Sequence, residues 1–244
     1  MTQNILVVGS VAYDTLETPA GKRKDVLGGT AHTFWASEFI CMSLTFTDSA
    51  IILRRISYGE SDLVVTFFSE QHGRMSGFAK SAKNSHKRFG SSLEPGSIST
   101  LSCTQKPQSD WVFLQEAHTT LPSPALQRSV AKQSATWVAL EWALLFLQEA
   151  QADQQKFTYL RNFLHYLHAH MPMLSALVGF QENWLSLSGD AAQDELFLQS
   201  LSMLKQNNVC KNFSWLDAAK EFSELAESIT GKPCKSRACL VDLT

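Results

Sequence analysis

An α+β chain, with its strands first and its helices after them, is predicted by three features of the residue pattern. Residues 48–119 carry short apolar runs broken by turn residues. A long polar connection interrupts those runs once. From Pro122 onward, apolar residues recur at helical spacing instead. Taking the β half in order, Ala50–Leu53 form a first strand, and the turn Tyr58-Gly59-Glu60-Ser61 leads to a second over Leu63–Phe68. His72-Gly73 reverses the chain into Met75–Ala79. After the long connection, which ends at Leu93-Glu94-Pro95-Gly96, two more strands fit Ser97–Cys103 and Trp111–Ala117. Five strands with the long link between third and fourth match a small Greek-key barrel, the OB-fold.

The helical half begins with a long segment bearing Val130, Trp137, Val138, Leu140, Trp142, Leu144, Leu145 and Leu147. A second carries Phe157, Leu160, Phe163, Leu164 and Leu167, and Pro172 ends it. Three more are expected over Leu174–Leu187, Glu195–Lys205 and Leu216–Ile229, the last capped by Gly231. Trp137, Trp142, Trp184 and Trp215 are expected to fill the core between these helices. The domains read as an extension over 1–42, an OB barrel over 43–120 and a helical domain over 121–244. In the extension, a strand over Ile5–Val8 is followed by a loop with Pro19 and Gly21, the triplet Lys22-Arg23-Lys24 and Gly28-Gly29.

With 244 residues, 44% of them hydrophobic, the chain has ample material for packed cores. It shows no apolar run of about 18 residues, and no basic stretch precedes its apolar start, so neither a membrane span nor a secretory signal is expected. Five cysteines at irregular spacing suit free thiols in a reducing cytoplasm.

Charge is uneven. The formal net charge is −2, yet between Gln71 and Gly90 stand five basic residues (Arg74, Lys80, Lys83, Lys87, Arg88) and no acid. A loop-borne cation cluster spaced by small residues suits a polyanion, and nucleic acid is the obvious one. Arg54, Arg55, Arg74, Lys80, Lys83, Lys87 and Arg88 are the candidate phosphate contacts. Arg54 and Arg55, adjacent on a strand, must point to opposite faces. Phe78 reads as barrel core. Phe89, which suits core and base stacking equally, is counted with the DNA-binding candidates. Glu60 and Asp62 lack a neighbouring nucleophile, His72 reads as a turn residue, and His165, His168 and His170 read as a solvated polar face. No catalytic residue is expected.

The run AIILRRISYGESDLVVTFFSEQHGRMSGFAKSAKNSHKRFGSSLEPGS resembles the N-terminal domain of the RecO family of recombination and repair mediators. The likeness rests on Tyr58-Gly59-Glu60-Ser61-Asp62, His72-Gly73, Lys80, Arg88-Phe89-Gly90 and Leu93-Glu94-Pro95, in that order and spacing. Gly231, Pro233, Lys235, Ser236 and Arg237 resemble the family's closing segment. The resemblance implies an OB-fold followed by a helical domain and a cytoplasmic, nucleoid-associated protein. It further implies binding of single- and double-stranded DNA, strand annealing, and partnership with RecR and with the single-strand-binding protein. An apolar groove could take that protein's acidic C-terminal tail, with Lys235 and Arg237 as charge partners. Many members hold zinc through four cysteines. This chain lacks any C-x-x-C pair, so no metal and no cofactor are expected.

Residues 1–38 resemble instead the start of ribokinase-like (PfkB) sugar kinases, through the first strand, Asp14 and Gly28-Gly29. The downstream G-A-G-D motif of that family is missing; Leu187-Ser188-Gly189-Asp190 matches only its end. The opening therefore reads as a truncated fragment joined to a RecO-like protein, with Met42 as the ancestral start. A truncated or inactive kinase fusion, or an interaction module without DNA binding, are the rival readings.

Overall fold

A computed structural model describes residues 13–18, 21–27, 44–106, 111–190, 192, 194–206 and 213–243. The chain divides into two compact units, one of residues 1–44 with 106–108, the other of residues 45–105 with 109–244. In the first, β1 (Tyr13–Thr18) pairs antiparallel with β2 (Gly21–Leu27). The triplet Lys22-Arg23-Lys24, expected to follow a loop with Pro19 and Gly21, lies within β2 together with Gly21, and Asp14 lies within β1. The expected strand at Ile5–Val8 and the Gly28-Gly29 pair lie outside the described residues.

In the second unit, five strands close into a barrel: β3 (Leu44–Tyr58), β4 (Asp62–Ser69), β5 (Gly73–Ala79), β6 (Ile98–Gln105) and β7 (Trp111–Leu121). Their order around the barrel is β3-β4-β5-β7-β6, with β5 and β7 parallel and the pairs β3–β4, β4–β5 and β6–β7 antiparallel. That order, with its crossover between third and fifth strands, is the Greek-key arrangement of an OB-fold.

The run Ala50-Ile51-Ile52-Leu53 is buried throughout because β3 serves two cores. Ala50 and Ile52 fill the barrel, while Ile51 and Leu53 face the helices. Phe67 and Phe68 divide the same way on β4, and Phe68 meets Phe157 edge-on at 5.4 Å. A bulge between Ile52 and Arg54 resets the alternation, so that Arg54 pairs with Thr66 and Arg55 with Val65.

The helical part comprises α1 (Val130–Phe146), α2 (Gln154–Ala169), α3 (Leu174–Leu187), α4 (Glu195–Lys205) and α5 (Trp215–Thr230), then a 3-10 segment over Lys235–Leu243. Ser129, Asp153, Asp194 and Ser214 each cap a helix start through a side-chain oxygen, and Gly231 ends α5 at φ 66°. Trp142 and Trp184 are fully buried, and Trp215 packs at the core margin. Trp137 departs from expectation: it is 52% exposed, on the side of α1 turned away from the other helices' shared core. The C-terminal segment is held by Glu141 of α1, which accepts the backbone N–H groups of Lys235 (2.9 Å) and Ser236 (2.6 Å).

Candidate nucleic-acid interface

The basic stretch is not a free loop. It plugs one end of the barrel with Ala82, Phe89 and Leu93, which belong to the same core as Val65, Phe67 and Val112. Two anchors fix its start. Asp62 accepts the Ser81 N–H at 2.7 Å, and the Lys83 N–H donates to the Ser61 carbonyl at 3.0 Å. Ser81 takes φ 55°, a conformation costly for a side-chain-bearing residue and held here by the Asp62 bond. Further on, the Ala117 N–H of β7 donates to the Arg88 carbonyl at 2.8 Å. Apolar residues at 82, 89 and 93 thus sink the segment while the cations between them stay outside.

Four of the sequence candidates gather on this plug. The side chains of Lys80 and Lys87 are exposed and make no hydrogen bond or ion pair with the described residues. Lys83 reaches back so that its Nζ donates to the Gly59 carbonyl at 3.2 Å, which sets its charge against the β3–β4 turn. Arg88 lies across the segment, donating from Nε to Ser85 Oγ at 2.9 Å and from its other end to the Lys80 carbonyl at 2.8 Å. Its guanidinium sits 5.0 Å from the Phe89 ring centroid. A cleft of about 410 Å³ opens beside them, lined by Arg55, Ser57, Lys83, His86, Gly90 and Glu94 among others. There Arg55 pairs with Glu94 at 2.5 Å.

The remaining candidates do not join this group. Arg54 faces outward on the neighbouring wall, in a row with Thr66, Ser76 and Trp111. Arg74 sits at the opposite end of β5 and is committed to the helices. It donates to the Leu144 carbonyl at 2.9 Å and to Glu149 at 3.3 Å. Phe89 needs a correction. It is 2% exposed inside the barrel, so its ring has no face to offer a base. Phe78 reverses the other way: it alternates with buried Gly77 and Ala79, so its ring lies on the outer wall. At the C-terminus, Lys235 lines a cavity of about 710 Å³ with Leu53, Arg54, Trp137, Leu144 and Lys232, whereas Arg237 is drawn off to Glu224.

A Ser–His–Asp trio escaped the sequence reading because its carboxylate comes from 24 residues upstream of the histidine. Ser69 and His72 both turn toward Asp48, the latter at 3.3 Å, and the Gln71 N–H donates to the same oxygen at 2.9 Å. Ser69 is fully buried and donates to Asp48 directly, so its hydroxyl neither meets a substrate nor passes a proton to the imidazole. The trio locks the β4–β5 turn. Cys103 is equally inert. Burial within the barrel, helped by the Asp48 charge, pushes its thiol up to about 12. Among the described residues no three His, Cys, Asp or Glu side chains converge as metal ligands would. Cys41 and Cys210 lie outside them. Leu187-Ser188-Gly189-Asp190, the partial kinase likeness, closes α3. A helix C-terminus presents carbonyl oxygens, the wrong polarity for an anion.

A family model described as "Recombination protein O N terminal" matches residues 42–122. A DNA repair protein RecO from Anaeromyxobacter sp. (strain K) is 30% identical over 141 residues, 58% of this chain and 56% of the relative. One from Syntrophus aciditrophicus (strain SB) is 26% identical over 147 residues, 60% and 57% of the two chains. Another, from Desulfatibacillum aliphaticivorans, is 54% identical over 48 residues, 20% of this chain and 19% of the relative. The chain spans about half the length of the first two of these relatives. The barrel and its basic plug thus lie within a segment similar to the N-terminal part of RecO proteins.

Proposed function

We propose that this protein is a DNA-binding mediator of recombination and repair that acts by holding strands, not by transforming them. The observation that carries the reading is the gathering of Lys80, Lys83, Lys87 and Arg88 on a plug fixed to the end of an OB-type barrel. Ammonium groups displayed this way replace counterions along a phosphodiester backbone, which favours binding without reading sequence. Single strands and duplexes both offer that backbone. Neutralising it lowers the repulsion between two complementary strands, which is the physical requirement for annealing. The likeness to proteins named DNA repair protein RecO supports the same direction. No helix among the described residues is long and apolar enough to cross a membrane.

Recombinase loading with RecR and with the single-strand-binding protein belongs to the same reading. The cavity beside α1 suits the acidic, apolar tail of the latter: Trp137, Leu144 and Leu145 supply an apolar floor, and Lys232 and Lys235 supply positive charge. Arg237, paired with Glu224, contributes less. Fluorescence anisotropy with labelled single-stranded and duplex DNA tests the reading. Binding that weakens steeply with salt supports it, and indifference to DNA at low salt overturns it. A labelled tail peptide, bound by wild type and not by Lys235→Glu, tests the docking site in the same format.

A further inference from the structure

The outer wall of the barrel next to the plug is apolar where a solvated wall should be polar. Antiparallel sheets that face water on one side normally place polar residues outward. Here the cross-strand register runs Ile56 to Val64 to Phe78 to Phe113, one residue on each of four neighbouring strands. At typical strand spacing this row is about 14 Å long. Tyr58 extends it at the β3–β4 turn, with its ring edge-on to Phe78 at 5.6 Å. Phe113 meets the other side of Phe78 at 6.1 Å. Tyr58 is 60% exposed and Ile56 45%, while Phe78 and Phe113 are half-buried.

The geometry points to a base-stacking platform for single-stranded nucleic acid, formed by Tyr58 and Phe78, with Phe113 packed beside Phe78. Its occupant is chosen by the charges around it. Lys83 is fastened to the Gly59 carbonyl, one residue from Tyr58, and Lys80 follows Phe78 by two residues. Arg54 borders the row on its other side, two residues from Ile56 along β3 and so on the same face. Aromatic faces edged by cations match a strand whose bases lie on the protein and whose phosphates lie at the rim. A duplex keeps its base faces stacked internally and cannot use the rings. The platform therefore gives single strands an advantage that phosphate contacts alone do not provide.

This inference rests on the proposed DNA binding, and the experiment separates the two. The affinity of the full-length protein is measured for a thymidine oligonucleotide and for an abasic one of equal length, across several salt concentrations. Wild type should prefer the oligonucleotide with bases. Phe78→Ala and Tyr58→Ala should each lower affinity for it by about 5- to 100-fold. Both variants should keep wild-type affinity for the abasic strand, with the same salt dependence. Tyr58→Ala removes a largely exposed side chain, so it keeps the test valid if Phe78→Ala folds poorly. Equal binding of both oligonucleotides by wild type, or variants that retain its preference, overturns the platform while leaving DNA binding intact. No salt-sensitive binding to either oligonucleotide overturns the DNA reading itself.

Discussion

The two ends of β5 carry the same kind of residue to different fates. At its start, Arg74 is consumed by the fold: its guanidinium ties the barrel to the C-terminal turn of α1, and its carbonyl accepts the Ala150 N–H at 2.9 Å. At its end, about 20 Å away at strand rise, the chain enters the plug, where Lys80 and Lys87 remain available to solvent. A run of positive charge in a sequence is therefore not yet a surface. Backbone carbonyls claim Arg74, and partly Arg88 and Lys83, before any ligand arrives.

Substitutions at each end break or sharpen this contrast. The largest effect is expected from Phe89→Ala, which empties the plug's main anchor in the barrel. It should cost about 3–5 kcal/mol in urea unfolding. Gly73→Ala comes next. Gly73 takes φ 77°, and an added Cβ would meet the Gln151 carbonyl at 2.1 Å, so a loss of about 2–4 kcal/mol is expected. Arg74→Gln should destabilise by about 2–3 kcal/mol through the lost charged hydrogen bonds. DNA affinity of its folded fraction should stay within about two-fold of wild type, because its charge is already committed to the helices. Arg88→Ala should cost only about 1 kcal/mol, yet weaken DNA binding several-fold, since it removes a cation and frees the Lys80 carbonyl. An Arg74 variant with the larger binding defect would invert the comparison.

Much of the fold was legible in the sequence. The helices over Leu174–Leu187 and Glu195–Lys205 fall where the apolar period places them. The five barrel strands differ from expectation chiefly in length, β3 most of all. Side-chain direction was less accessible. Phe78 and Phe89 sit in similar local sequence, and only the pairing of β5 with β7 and the inward turn of the plug reveal which is buried. The tie from Arg74 to Leu144 spans 70 residues, and the Asp48 anchor of His72 spans 24. Neither leaves a local signal. The YGESD run did carry one: its Asp62 holds the plug's first backbone N–H, a structural duty beside the functional loop.

The most direct measurement is the salt dependence of single-stranded DNA affinity for wild type and for the double variant Lys80→Gln/Lys87→Gln. With about four cations engaged, log affinity should fall against log salt with a slope of about −3, and the variant's slope should shrink to about −1.5. Affinity in about 0.1 M salt should drop about 10- to 30-fold, with the unfolding midpoint unchanged. A variant with the wild-type slope would mean that these lysines only solvate the barrel end, and the account would fail.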